Sequence, residues 1–241
     1  MALILKNGAV FLHIPKTGGN WITNVLRELD LIETRAAQKH ADIDHFFAVP
    51  KQRKALLKYA FHELYYPQKK KQKPFMFCFV RNPLSWYESW FKYMSQPSRQ
   101  WRFWGKEQGI YKWHPNSMLN GVGHTDFSQF VRNMSAKRPG YVTEMFGWYT
   151  KPHIDFIGKQ ENLVEDLVTV LKTMDLDFNE EFVRNFGKIG VSPEPRKKII
   201  WPDELKKEIA LHEYAGMIRY GYHTTLKELG LDIDRLTQIS P

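Results

Sequence analysis

The chain has 241 residues, of which 43% are hydrophobic and 15% aromatic, enough for a real core in one sizeable α/β domain. Its 35 Lys and Arg against 26 Asp and Glu leave a net charge of +9, which points to anionic ligands: nucleic acid, acidic glycan or nucleotide. The single cysteine, Cys78, excludes an internal disulfide framework and fits a reducing, cytoplasmic compartment, while the lack of a signal-peptide pattern or an apolar run of about 18 residues predicts a soluble protein.

In chain order, the first clear element is the near-continuous apolar run AVFLHI, residues 9–14, bounded by Gly8 and Pro15. Such a run suits a strand covered on both faces. A helix follows, with Asn20 placed to cap it and Ile22, Val25, Leu26 and Leu29 on one apolar side. A second buried strand, FMFCFV at 75–80, passes through Arg81-Asn82-Pro83 into a helix on which Leu84, Tyr87, Phe91 and Met94 recur. Cys78 lies in mid-strand, where core packing is its simplest use. Ahead of that strand, the basic run KKKQK at 69–73 reads as a solvated loop.

The section from Gln96 to Thr150 fits the alternation worst, with Trp101, Trp104, Trp113 and Trp148 among Gly, Pro and basic residues. It reads either as an aromatic-rich accessory core or as an acceptor platform on loops above the sheet. A third strand, IDFIG at 154–158, leads into a helix with Leu163, Leu167, Val170 and Met174 on one side. Pro202 opens a last long helix that Gly221 closes. Strands alternating with helices predict an α/β fold, a central parallel β-sheet flanked by helices. The whole chain, 1–241, reads as one domain, with 96–150 as an insertion on the acceptor side.

The stretch between the first strand and helix carries chemistry. A strand-to-helix turn exposes backbone N–H groups at the positive end of the helix, a natural seat for phosphate. Gly18 and Gly19 keep side chains out of the way, Lys16 adds a charge, and Thr17 and Asn20 add hydrogen-bonding groups; Trp21 follows directly. The nucleotide-binding pattern G-x-x-x-x-G-K-[ST] is absent, because Lys16 and Thr17 precede the glycines.

HIPKTGG, residues 13–19, resembles the 5′-phosphosulfate loop of sulfotransferases that use 3′-phosphoadenosine 5′-phosphosulfate (PAPS). The likeness is closest to the carbohydrate and bacterial branch, although Asn20 stands where many of its members have Thr or Ser. FVRNPLSWYESW, residues 79–90, resembles that family's second signature, an Arg at a strand end and a Ser eight positions on. The resemblance implies a P-loop-like sulfotransferase fold in which Arg81 and Ser89 hold the 3′-phosphate of PAPS. It also implies that the segment 155–167 packs near the nucleotide and that Tyr220-Gly221-Tyr222 belongs to the branch. Arg196 and Lys197, with Lys198, occupy the region where relatives send a loop over the 3′-phosphate, a solvated basic loop being the alternative.

The activity so implied is transfer of a sulfuryl group to an acceptor hydroxyl. Lys16 and the turn amides would stabilise charge on the leaving phosphate. His40, in a stretch resembling the Lys-His-Ala segment of bacterial members, is the expected general base, with His45 and His62 in reserve; His13 reads as structural. No metal-ligand spacing occurs. The expected acceptor is a glycan, although a small alcohol or phenol fits the same aromatics. Two other readings compete. A P-loop kinase or hydrolase is disfavoured by the order of lysine and glycines, and a nucleic-acid binder by the lack of any recognised module.

Overall fold

A computed structural model describes residues 2–36, 39–47, 73–99, 101, 114–189 and 199–231. Five strands form one sheet in the order β3-β1-β2-β4-β5. They are β1 (Leu3–Leu5), β2 (Val10–Leu12), β3 (Ile32–Arg35), β4 (Met76–Val80) and β5 (Phe156–Lys159). β2, β4 and β5 run parallel, as the alternation predicts, and form the centre and one edge. β1 pairs antiparallel with both β2 and β3, so the sheet is mixed.

The hairpin joining β1 and β2 is built on Asn7-Gly8: Gly8 has φ 87°, and the Asn7 carboxamide accepts from the Ala9 N–H at 3.0 Å. An Asn-Gly pair between apolar runs is a hairpin signal that the chain-order reading missed. Two predicted strands are also shorter than their apolar runs. The first leaves the sheet after Leu12, and the last begins at Phe156.

Side-chain alternation sorts the strands onto two cores. Leu3, Leu5, Phe11, Phe77 and Phe79 face α1 (Gly19–Glu28), α6 (Leu163–Thr173) and α7 (Glu180–Asn185). Ile4, Val10, Leu12, Met76, Cys78 and Val80 face the other way. There they meet α3 (Pro83–Met94), α4 (Phe127–Lys137), α5 (Tyr141–Tyr149), α8 (Asp203–His212), α9 (Tyr214–Arg219) and α10 (His223–Glu228). A short α2 (Ile43–Phe47) and two 3-10 helices, Pro115–Leu119 and Gln160–Asn162, complete the described elements.

The described part of the 96–150 section is largely core. Phe127, Phe130, Tyr141, Phe146 and Tyr149 are buried, and Trp101 and Trp148 pack against them. Trp104 and Trp113 lie outside the described residues, as does most of the 69–73 run; Lys73 pairs with Asp155 at 3.0 Å.

The long helix expected from Pro202 to Gly221 is broken at Glu213 into α8 and α9. The cause is tertiary. Glu213 is fully buried, and its carboxylate accepts from the Tyr87 hydroxyl (2.9 Å), the Val142 N–H (3.1 Å) and the Thr143 N–H (2.7 Å). It thereby supplies the first turn of α5, whose N-cap Gly140 offers no side chain. No helix among the described residues is long and apolar enough to cross a membrane.

Candidate active site

The parallel strands β2 and β4 end side by side, and the candidate site is built from the segments that leave their ends. After β2 the turn reaches α1 through two left-handed positions, Lys16 (φ 67°) and Gly18 (φ 84°). Lysine seldom adopts a positive φ, so the turn holds it there. Three bonds do so: Thr17 Oγ1 donates to the Ile14 carbonyl at 3.0 Å, Trp86 Nε1 on α3 donates to the Pro15 carbonyl at 2.9 Å, and Arg81 Nη1 reaches the Lys16 carbonyl at 3.5 Å. The Thr17 hydroxyl, expected to serve the ligand, thus closes the turn from a buried position.

The cap of α1 is Gly18, not Asn20, and no side chain bonds to the helix start. Asn20 lies exposed in the first turn. The capping signal misled because a left-handed glycine can end a turn without a side-chain acceptor. The two glycines also have internal reasons. A Cβ at Gly18 would stand 2.9 Å from Leu163, and one at Gly19 only 2.2 Å from the His13 ring. Trp21 turns into the core, where its indole N–H donates to the Gly187 carbonyl at 3.1 Å and its ring meets Phe186 edge-on. That indole lines the α1–α7 contact instead of the turn.

After β4 comes Arg81, then Asn82, whose side chain caps α3 by accepting from the Leu84 N–H at 3.0 Å, and then Pro83 in the first turn. Asn82 also donates through its side chain to Thr225 at 2.9 Å, and its own N–H is bound by Glu161 at 2.7 Å. The Tyr222 hydroxyl donates to the same Glu161 carboxylate at 3.1 Å. The 155–167 segment and the Tyr220-Gly221-Tyr222 stretch therefore meet at the end of β4. Ser89 is half-buried on α3.

Cations gather at the mouth of the turn. The Lys16 ammonium lies 4.4 Å above the Tyr93 ring centroid, and the Arg99 guanidinium lies 4.3 Å from the same centroid. The Nε atoms of Arg81 and Arg99 are both buried without an acceptor among the described residues. Burial first, then the charges of Arg81, Arg99 and Lys39, lower the Lys16 pKa to about 8. A buried guanidinium nitrogen lacking an acceptor is costly, and an anion seated here would relieve both that cost and the mutual repulsion. The residues present therefore fit a phosphate-bearing ligand. Arg99 and Lys39 were not among the predicted site residues. Their signal was weak: Arg99 lies in an irregular segment, and Lys39 was read only as part of the Lys-His-Ala resemblance.

Behind the turn stand three imidazoles. His40 Nδ1 bonds the His13 carbonyl at 2.9 Å, and the Tyr149 hydroxyl on α5 donates to the His40 carbonyl at 2.6 Å. The His40 ring meets His13 at 4.8 Å and His114 at 4.7 Å between centroids, both edge to face. Because a carbonyl only accepts, Nδ1 of His40 carries the proton and Nε2 is bare. Burial, then the neighbouring His13 and His114, lower the His40 pKa well below its usual value, so the ring is a neutral proton acceptor. The three side chains do not converge as metal ligands do.

His45 is engaged differently. Its Nδ1 and its own N–H both bond Asp42 Oδ1, at 2.7 and 2.8 Å, which fastens the start of α2. His62, Arg196, Lys197 and Lys198 lie outside the described residues.

Residues 5–188 match the family model described as "Sulfotransferase family". The match spans most of the chain, which therefore belongs to the sulfotransferase family and is a transferase of sulfuryl groups. Comparison with curated proteins and with solved structures gives no match.

Proposed function

We propose that this protein transfers the sulfuryl group of PAPS to a hydroxyl of a carbohydrate acceptor, with His40 as general base. The observation that carries the reading is the cationic cluster at the turn, with two buried guanidinium Nε atoms that have no acceptor among the described residues, together with a neutral histidine whose Nδ1 is tied to the turn's own His13 carbonyl. PAPS, when bound, supplies an activated sulfur whose bond to the 5′-phosphate oxygen breaks as the acceptor oxygen attacks.

The chain's residues then have separable tasks. His40 Nε2 takes the acceptor's proton, a role typically worth about 10²–10⁴ in rate. Lys16 and the amides at the start of α1 hold the charge left on the 5′-phosphate. Arg81 and Ser89 hold the 3′-phosphate, the guanidinium as a permanently charged fork. Arg196 and Lys197 are assigned to the same phosphate. The 96–150 section carries the acceptor side, and the single buried, reduced Cys78 suits a cytoplasmic protein.

The test is the melting temperature of wild type and Arg81→Ala with 3′,5′-diphosphoadenosine, and with 5′-AMP as control. A ligand at 100 times its Kd adds about 2.7 kcal/mol of stability. A shift with the diphosphate that is weak with AMP and lost in the variant supports the donor site. His40→Ala should then bind the diphosphate normally but lose transfer in an acceptor screen. No shift at millimolar diphosphate would overturn the reading.

A further inference from the structure

His114 is the unassigned member of the imidazole group, and one bond shows which of its nitrogens is bare. Its Nδ1 accepts the Asn116 N–H at 3.1 Å, as the N-cap of the 3-10 helix that starts at Pro115. A backbone N–H only donates, so Nδ1 of His114 is bare and the neutral ring carries its proton on Nε2. Asn116 is fully buried, and its side-chain oxygen accepts from the Tyr141 hydroxyl at 3.0 Å. Trp90 on α3 lies nearly parallel to the His114 ring, at 28° and 6.4 Å. The ring is therefore held from the 3-10 helix and from α3 at once.

His40 has complementary needs. Its useful nitrogen, Nε2, stays bare only while Nδ1–H remains on the His13 carbonyl. His13 cannot retreat, because the backbone of Gly19 lies against its ring. The His114 ring meets His40 at 4.7 Å and 72°, edge to face. An imidazole freed of such a contact can leave the carbonyl and redistribute its proton between its two nitrogens.

We propose that His114 is a positioning residue for the proton-accepting histidine: its ring packs edge to face on His40, keeps Nδ1–H on the His13 carbonyl and so fixes the tautomer whose Nε2 is open to the acceptor. The proposal rests on the reading of His40 as the base. The competing role is that of a helix cap alone, and the two can be separated. Asparagine is a good N-cap and can keep the bond to the Asn116 N–H while removing the ring. Phenylalanine does the reverse, restoring an edge-to-face ring and losing the cap.

The experiment uses ¹⁵N-histidine-labelled full chain at pH 7.5, with His40 assigned by comparison with His40→Gln. Wild type should show His40 neutral with its proton on Nδ1 alone. His114→Asn should keep the cap and the diphosphoadenosine affinity, with the melting temperature lowered only by the cavity the ring leaves, while His40 becomes a mixture of tautomers. In turnover, kcat should fall about tenfold or more with KM for PAPS unchanged, as expected of a residue acting through the base. His114→Phe should recover part of that loss.

A wild-type His40 protonated on Nε2 would overturn the proposal. So would a His114→Asn protein in which His40 keeps its tautomer and kcat is unchanged, which would leave His114 as a cap. The resonance measurements need no turnover, so tautomer mixing in His114→Asn without any sulfuryl transfer would support the positioning role and count against the sulfotransferase mechanism instead.

Discussion

The two faces of the sheet are built on different principles. The face covered by α1, α6 and α7 is filled by aliphatic and aromatic side chains such as Phe11, Val25, Phe77, Leu167 and Leu171. The opposite face, under α3, α4, α5, α8 and α9, buries Glu213, Asn116 and the hydroxyls of Tyr87 and Tyr141 among its apolar groups. The first face supports the turn and α1 from behind. The second fixes the turn through Trp86, holds His40 through Tyr149 and seats His114. One face depends on shape, the other on donors and acceptors matching, and the second kind tolerates less chemical change per atom.

The largest expected effect comes from that difference. Glu213→Ala leaves the Tyr87 hydroxyl and the Val142 and Thr143 N–H groups without their acceptor, at about 1–3 kcal/mol each. Urea unfolding should show a loss of roughly 3–5 kcal/mol. Near-isosteric changes sharpen the contrast. Glu213→Gln, which turns an accepting oxygen into a donor facing donors, should cost about 1–3 kcal/mol. Leu171→Met on the other face, which conserves volume, should cost less than about 1.5 kcal/mol. Equal costs for these two would break the distinction between the faces.

The next effect tests the join between them. His13 continues the Phe11 side of β2, with rings 6.0 Å apart, and its ring packs under Gly19 of α1. Gly19→Ala should therefore cost about 1–3 kcal/mol through overpacking. His13→Ala in the same chain should recover part of it, because the clash then has no partner. A melting series on the two single variants and the double variant gives the coupling. Strict additivity would show that Gly19 is required by something other than His13.

These residues mark where the sequence was legible. β2 and β4 could be read because strands buried on both faces must be continuously apolar. The turn could be read because Lys16, Gly18 and Gly19 lie together in the chain. Arg81 could be read because Arg81-Asn82-Pro83 compresses a strand end, a cap and a helix start into three residues. The break at Glu213 could not be read, since glutamate favours helices and only its distant partners Tyr87, Val142 and Thr143 explain the kink. His114 was missed for the same reason. Its neighbours Trp90 and His40 come from other parts of the chain, and locally it precedes a proline like any loop histidine. Asn20 shows the opposite failure, a good local signal displaced by the left-handed Gly18.

Acid should act on the join before it acts on either core. Burial lowers the pKa of both His13 and His40 from the ordinary value near 6.5. The unfolded chain then binds protons that the folded chain refuses, so their contribution is complete above pH 6.5 and is lost as pH falls towards the folded values. The slope is at most about 1.4 kcal/mol per pH unit for each histidine. Stability measured between pH 7 and 5 should fall more steeply in wild type than in His40→Gln. Parallel curves would mean that His40 titrates as it does in the unfolded chain.

The smallest effect concerns the ligand. With its pKa lowered to about 8 by burial and by neighbouring cations, Lys16 is already losing its proton at pH 8 in the ligand-free protein. A bound phosphate would raise that pKa, so binding above pH 8 takes up a proton. Affinity for 3′,5′-diphosphoadenosine should be flat below that pH and fall above it by up to about tenfold per unit. Lys16→Arg keeps its charge throughout this range, and its affinity should stay level to pH 9 even if it starts weaker. Calorimetry at pH 7, 8 and 9 decides the matter. If wild type and Lys16→Arg fall in parallel, the proton taken up belongs to another group and the Lys16 ammonium does not face the phosphate. If only wild type falls, the cluster around Tyr93 holds its charge most firmly when the anion is present.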